Sequence, residues 1–161
     1  MESDFRIYRR NLPHWRQTGR TYFVTWRVKP EVAELSDLER QVVADSLRFR
    51  HGQKYWLHAF VVMNDHVHVL VTPIGEIPLE DLVREWKSYP AHQFSKLGTH
   101  KGGVWQVEYF DRIVRDQEEF LEKARYILNN PAKRWPGLDG YRWMGTESEL
   151  PIGAGGDARP H

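Results

Sequence analysis

Apolar and polar positions along this chain fall into runs that define most of its elements. Thr21 to Val28 (TYFVTWRV) is rich in aromatic and β-branched residues and predicts a strand, which Pro30 stops. Ser36 with Glu39 forms a capping-box signature, and Leu38, Val42, Val43 and Leu47 follow at helical spacing until Gly52. Tyr55 to Met63 and His66 to Thr72 are apolar runs on either side of Asn64-Asp65, which predicts a hairpin of buried strands turning at or beside that pair. Pro78 opens a second helix through Leu79, Leu82, Val83 and Trp86 to Gly98, and Pro90 is expected to kink or split it. After the loop Lys101-Gly102-Gly103, Val104 to Val114 reads as a strand whose far end is weakened by Asp111-Arg112. Asp116 with Glu119 is a second capping-box signature, and Phe120, Leu121, Ala124, Ile127 and Leu128 give the next helix an apolar face that Pro131 should end.

The resulting order, β-α-β-β-α-β and then a helix, is the ferredoxin-like split arrangement of the α+β class. It predicts an antiparallel four-stranded sheet with helices on one face. The other face could serve a ligand or be covered by the last helix. A length of 161 residues suits one domain with a real core, here residues 1–145, followed by a flexible tail over 146–161. Fold alone decides nothing about function.

Composition narrows the chemistry. The absence of cysteine excludes disulfide scaffolds, thiolate zinc sites and thiol catalysis, so any metal must use His, carboxylate or amide ligands. No run approaches the roughly 18 apolar residues of a membrane span, and the first ten residues are charged, so neither a transmembrane helix nor a secretory signal is expected. The expected location is the cytoplasm.

Net charge is +1, but it averages unlike segments: residues 1–29 carry +5, 30–53 carry −2, 54–135 are neutral and 136–161 carry −2. The basic opening segment holds Arg9 and Arg10 together with Trp15, which suits a polyanion that also stacks; a solvated arm is the plainer alternative.

Two constellations carry chemistry. His66-Val67-His68 lies in the most apolar strand, where residues i and i+2 share a face, so both imidazoles project together while Val67, Val69 and Val71 face the other way. The pair reads as half of a metal site or as two satisfied core residues; burying two unpaired imidazoles would be costly. On the last helix, Tyr126 and Asn130 are one turn apart on the polar side, with Glu119, Glu122 and Lys123. A phenol with a pKa near ~10 is a poor nucleophile until a cation or base favours its ionised form. Around this helix Trp105, Tyr109 and Phe110 alternate with Arg112, Arg115, Arg125, Lys133 and Arg134, a mixture of stacking and phosphate-binding groups that suits single-stranded nucleic acid.

Together these residues resemble a known family. His66-Val67-His68, the stretch Trp105 to Arg112 (WQVEYFDR) and Tyr126 to Pro131 (YILNNP) are similar to the single-tyrosine HUH transposases. Arg9 to Trp15 (RRNLPHW) and Gly19 to Trp26 (GRTYFVTW) resemble its REP-associated branch, and the likeness spans about residues 6–145. The resemblance implies an endonuclease and strand transferase on single-stranded DNA hairpins of the REP-like palindromic kind. It implies His66, His68 and Asn130 as ligands to Mg²⁺ or Mn²⁺ and Tyr126 as the nucleophile, leaving a 5′-phosphotyrosine and a free 3′-hydroxyl. In insertion-sequence members a Gln stands at the Asn130 position; Asn resembles the REP-associated branch. Contacts to DNA are expected from Arg9, Arg10, Trp15, Arg84, Lys87, Trp105, Tyr109, Arg112, Arg115 and Lys133. Imidazole ligands favour Mn²⁺ over Mg²⁺. Tyr89 and Tyr109 are rival tyrosines: Tyr89 precedes Pro90 and lacks an amide one turn on, and Tyr109 falls within a strand. The alternatives are a hairpin DNA- or RNA-binding protein that has lost catalysis, and a metal phosphoesterase acting through water, which would not need Tyr126. Such a protein is expected to be a monomer or a homodimer.

Overall fold

The computed structural model describes residues 19–100 and 102–150. Arg9, Arg10 and Trp15 lie outside the described residues. The elements are β1 (Thr21–Arg27), α1 (Asp37–Phe49), β2 (Tyr55–Val62), β3 (His66–Pro73), α2 (Leu79–Leu97), β4 (Phe110–Val114), α3 (Gln117–Arg134) and β5 (Met144–Thr146), with a single 3-10 turn at Glu147–Glu149. The strands form one antiparallel sheet in the order β4-β1-β3-β2-β5. Its first four members realise the split βαβ arrangement expected from the sequence.

Alternation along the strands separates two cores. Val24, Trp26, Val67, Val69 and Val71 face α1 and α2, where Val43, Leu47, Leu82, Val83, Trp86 and Phe94 cover them. Phe23, Ala59, Val61 and Leu70 face the other way and meet Phe120, Ala124, Ile127 and Leu128 of α3. The face that the split arrangement leaves open is therefore covered by the last helix. His58 sits at a register shift between Leu57 and Ala59, which places it beside Phe120 (ring centroids 5.1 Å apart). Its Nε2 is 2.7 Å from Thr72 Oγ1 and its Nδ1 is 3.2 Å from Glu147 Oε1, so it is a structural histidine.

The helix boundaries differ from expectation at both prolines. α2 runs unbroken through Pro90 and α3 continues past Pro131 to Arg134. An internal proline costs about 3 kcal/mol. Burial of Trp86 and Phe94, one turn to either side of Pro90, offsets that at roughly 1.5–3 kcal/mol per large apolar side chain. The indole N–H of Trp105 also donates to the Lys87 carbonyl (3.0 Å), in the turn that Pro90 interrupts.

The capping box at Ser36 and Glu39 is complete, although Leu38 is exposed and not part of the apolar face. At α3 only half of the box forms. Asp116 accepts from the Glu119 amide, while the Glu119 carboxylate accepts from Arg112 and from the Arg115 amide. The strand expected over 104–114 is confined to its far end, Phe110–Val114, with a lone bridge between Trp105 and Val28 before it. Residues 146–150 are part of the fold, where the sequence reading began a flexible tail: β5 pairs with β2, and Glu147 is buried against His58.

Candidate active site

Strand register builds the floor of the site. Phe110 on β4, Thr25 on β1 and His68 on β3 are direct ladder partners, and Arg27 stands across from His66. The period of two puts Phe23, Thr25 and Arg27 on one face of β1. α3 crosses that face and lays Tyr126 over it. The Tyr126 ring is 5.2 Å from that of His68 and 6.0 Å from that of Phe23, centroid to centroid, and Phe23 stacks on His68 at 5.4 Å. A cleft of about 460 Å³ opens here, lined by Phe23, Thr25, Arg27, His68, Phe110, Lys123 and Tyr126.

The two histidine rings are neighbours, 4.6 Å apart between centroids. His68 is buried, and its Nδ1 is 2.7 Å from Thr25 Oγ1. Its Nε2 is a buried nitrogen with no hydrogen-bond partner among the described residues. Burial, followed by the charges of His66 and Arg27, pushes the His68 pKa down to about 3, so the ring is neutral at ordinary pH. His66 lies at the edge, with Nδ1 2.7 Å from Asp65 Oδ1. A carboxylate only accepts, so His66 Nδ1–H donates to it and Nε2 is the ring nitrogen turned to other partners. Fixing a ligand imidazole through its other nitrogen in this way is the usual support of a metal-binding histidine. The orphaned, neutral His68 Nε2 beside the free His66 Nε2 fits a cation. Among the described residues no three His, Asp or Glu side chains cluster as a complete ligand set, so an amide or the substrate would have to finish it.

Tyr126 is 45% exposed, open to a macromolecular substrate while its ring touches the site. It is also the wall shared with an adjoining depression of about 260 Å³ lined by Glu122, Arg125, Tyr126, Asn129, Asn130 and Lys133. Asn130 thus lies beside the tyrosine, one turn on, but does not line the His68 cleft. The rival tyrosines stand elsewhere. Tyr89 is on α2, across the sheet from this cleft, and Tyr109 packs against the α1–α2 core. Burial, then Asp111 and Glu80, raise the Tyr109 pKa and disfavour its phenolate.

A profile of the family described as "Transposase IS200 like" matches residues 19–130, a span that includes His66, His68, Tyr126 and Asn130. The chain belongs to the IS200-like transposase family. Among solved structures, this transposase-family chain is similar to a REP-associated tyrosine transposase bound to a REP hairpin, with a TM-score of 0.62 and 21% identity over 84% of this chain and 76% of that one. It is also similar to a candidate transposase from Deinococcus radiodurans R1, with a TM-score of 0.51 and 24% identity over 71% and 93% of the two chains. At these identities the likeness is one of fold. An uncharacterized protein from Haemophilus influenzae is 26% identical over a match covering 45% of this chain and 52% of its own length, so the transposase-family chain spans about half of that curated relative. Among the described residues no helix is long and apolar enough to cross a membrane.

The residues expected to touch DNA divide into two sets. Arg84, Arg115 and Lys133 are exposed, with Arg84 near Asp81 at 3.3 Å. Arg112 is held by Glu119 through Nε and Nη2, at 3.1 and 2.6 Å. Lys87 and Trp105 are engaged within the fold and also line an open cleft with Arg84 and Tyr109. Lys87 Nζ donates to the carbonyls of Gln106 and Val107, and burial pushes its pKa below the ordinary lysine value. Trp105 is 6% exposed and packs edge-on to Trp26 (centroids 6.4 Å apart). Both serve to fasten the 104–109 segment to α2. Sequence reasoning missed Phe23, Thr25 and Arg27 as site residues. Their shared face was readable from the alternation in TYFVTWRV, but their pairing with His66 and His68 is a long-range fact.

Proposed function

We propose that this transposase-family chain cleaves and rejoins single-stranded DNA at hairpins, with Tyr126 as the attacking group. The observation that carries the reading is the placement of an exposed tyrosine ring 5.2 Å from a neutral, buried histidine within a single chain, so that one copy brings both halves of the site together. His66 and His68 would hold Mg²⁺ or Mn²⁺ through Nε2, with Asn130 as the proposed third ligand. When bound, that cation supplies Lewis-acid polarisation of the scissile phosphate.

The chain's own residues do the rest. Tyr126 Oη attacks phosphorus and loses its proton to solvent. The bond from phosphorus to the 3′-oxygen breaks, and that oxygen takes up a proton as it leaves. A 5′-phosphotyrosine and a free 3′-hydroxyl result. One phosphodiester replaces another, so the reverse attack by a 3′-hydroxyl joins strands without ATP. Phe23 packs against both His68 and Tyr126, which also touch each other, and so supports the two rings from the sheet side. Hairpin DNA is the substrate favoured here because the similar REP-associated transposase is described with a REP hairpin bound.

Incubation with a single-stranded hairpin oligonucleotide and Mn²⁺ should give a covalent protein–DNA band that Tyr126→Phe abolishes. Hairpin binding with no band in the wild-type protein would instead support the catalytically silent reading. Cleavage that persists in Tyr126→Phe would support hydrolysis by water.

A further inference from the structure

Two cations reach the cleft from opposite walls. Arg27 comes from the sheet, at the end of β1 and across the ladder from His66. Lys123 comes from α3, one turn before Tyr126. Both line the same cleft as His68 and Tyr126. Lys123 is half-buried, with Nζ 5.2 Å from the centroid of the Phe23 ring that stacks on His68. Among the described residues neither the Arg27 nor the Lys123 side chain has a hydrogen-bond or ion-pair partner, and Lys123 meets only the face of Phe23 and the field of Glu119. Arg112, by contrast, is held by Glu119, and Lys87 by two backbone carbonyls. Like charges facing one small cleft disfavour each other until an anion lies between them.

We infer that Arg27 and Lys123 form a two-sided clamp for the phosphodiester that Tyr126 attacks. Arg27 offers its planar fork to two non-bridging oxygens, and Lys123 offers a point charge from the helix side. The clamp rests on the reading of Tyr126 as the nucleophile. It holds the phosphorus in line with the phenolic oxygen and offsets the charge that builds on the equatorial oxygens, which makes it strongest in the transition state. No bond to either cation is made or broken.

The test uses the full chain, Mn²⁺ and a single-stranded oligonucleotide carrying a REP hairpin with single-stranded flanks. A second oligonucleotide set carries one neutral methylphosphonate, stepped linkage by linkage through the hairpin's foot. Arg27→Gln and Lys123→Gln should each slow single-turnover adduct formation about 100-fold, while Lys123→Arg restores most of the rate. Both Gln variants should melt with the wild-type protein. In a Tyr126→Phe background, one methylphosphonate position should weaken binding about tenfold, and adding Arg27→Gln should weaken it no further. Adduct formation at the wild-type rate in both Gln variants, or a methylphosphonate loss that simply adds to the Gln loss, overturns the clamp and leaves Tyr126 standing. If the wild-type protein forms no adduct, or Tyr126→Phe forms as much, the nucleophile reading fails. The clamp is then decided by the methylphosphonate binding alone.

Discussion

Thr25 Oγ1 lies 2.7 Å from His68 Nδ1, and the two residues are direct partners in the β1–β3 ladder. The tautomer with the proton on Nδ1 donates to that oxygen and leaves Nε2 as the ring's ligand atom. A strand neighbour thereby fixes the orientation of the buried histidine. Thr25→Val preserves shape and removes the bond. It should weaken Mn²⁺ binding about 10–100-fold, read by calorimetric titration, while costing only about 1 kcal/mol of stability. Unchanged Mn²⁺ affinity would mean that Thr25 does not position the ring.

Trp105 is expected to matter for stability and not for stacking on bases. Its indole packs edge-on to Trp26 and bonds the Lys87 carbonyl. Trp105→Ala should cost roughly 3–5 kcal/mol in urea unfolding. Trp105→Phe, which fills most of the space, should bind a hairpin oligonucleotide as tightly as the wild-type protein. A weaker Trp105→Phe complex with normal stability would place the indole on DNA after all.

The segment beyond β5 should prove necessary to the fold. Ending the chain after Gly145 removes the Thr146–Ala59 pairing and leaves buried His58 without Glu147. The loss should be at least about 1–3 kcal/mol, the cost of orphaning one buried polar group. Ending it after Leu150 keeps both and should give a higher melting temperature than ending it after Gly145. Equal melting of the two truncations would show that Glu147 contributes nothing.

Glu119 links the start of α3 to β4 through Arg112, and its pH dependence has a definite sign. The hydrogen bond from Arg112, more than any other contact, holds the Glu119 carboxyl below its ordinary value of 4.5. A carboxylate with a depressed folded pKa contributes stability that is present above the unfolded value and lost as pH falls through the folded one. Acidification below about 4.5 should therefore lower the melting temperature of the wild-type protein more than that of Glu119→Gln. Parallel melting curves across that range would contradict the linkage.

The sheet was legible because its signals are local. Alternation in TYFVTWRV, two apolar runs around Asn64-Asp65 and a complete box at Ser36 each declare an element within a few residues. The His66 and His68 pair, and Tyr126 on the polar side of its helix, were readable for the same reason. Thr25 was not, because its partner is 43 residues away and only the ladder brings them together. Trp105 shows the converse: an aromatic among cations reads as a stacking platform, and only the packing around Trp26 and Trp86 shows how far its indole is buried. β5 is three residues with a central glycine, too short and too poor in strand formers to show. Pro90, with Trp86 and Phe94 buried on both flanks, and Pro131, itself buried beyond Ile127 and Leu128, are cases where burial outweighed a local breaker.

The central claim is that Tyr126 attacks DNA, and one measurement tests it most directly. A single-stranded hairpin labelled separately at its 5′ and 3′ ends is incubated with the chain and Mn²⁺, and the products are resolved under denaturing conditions and by peptide mass spectrometry. The account predicts that the 3′-label travels with the protein on the peptide containing Tyr126, while the 5′-labelled fragment ends in a 3′-hydroxyl that a polymerase extends. Cleavage without any protein-linked label, or a link to a residue other than Tyr126, would contradict it.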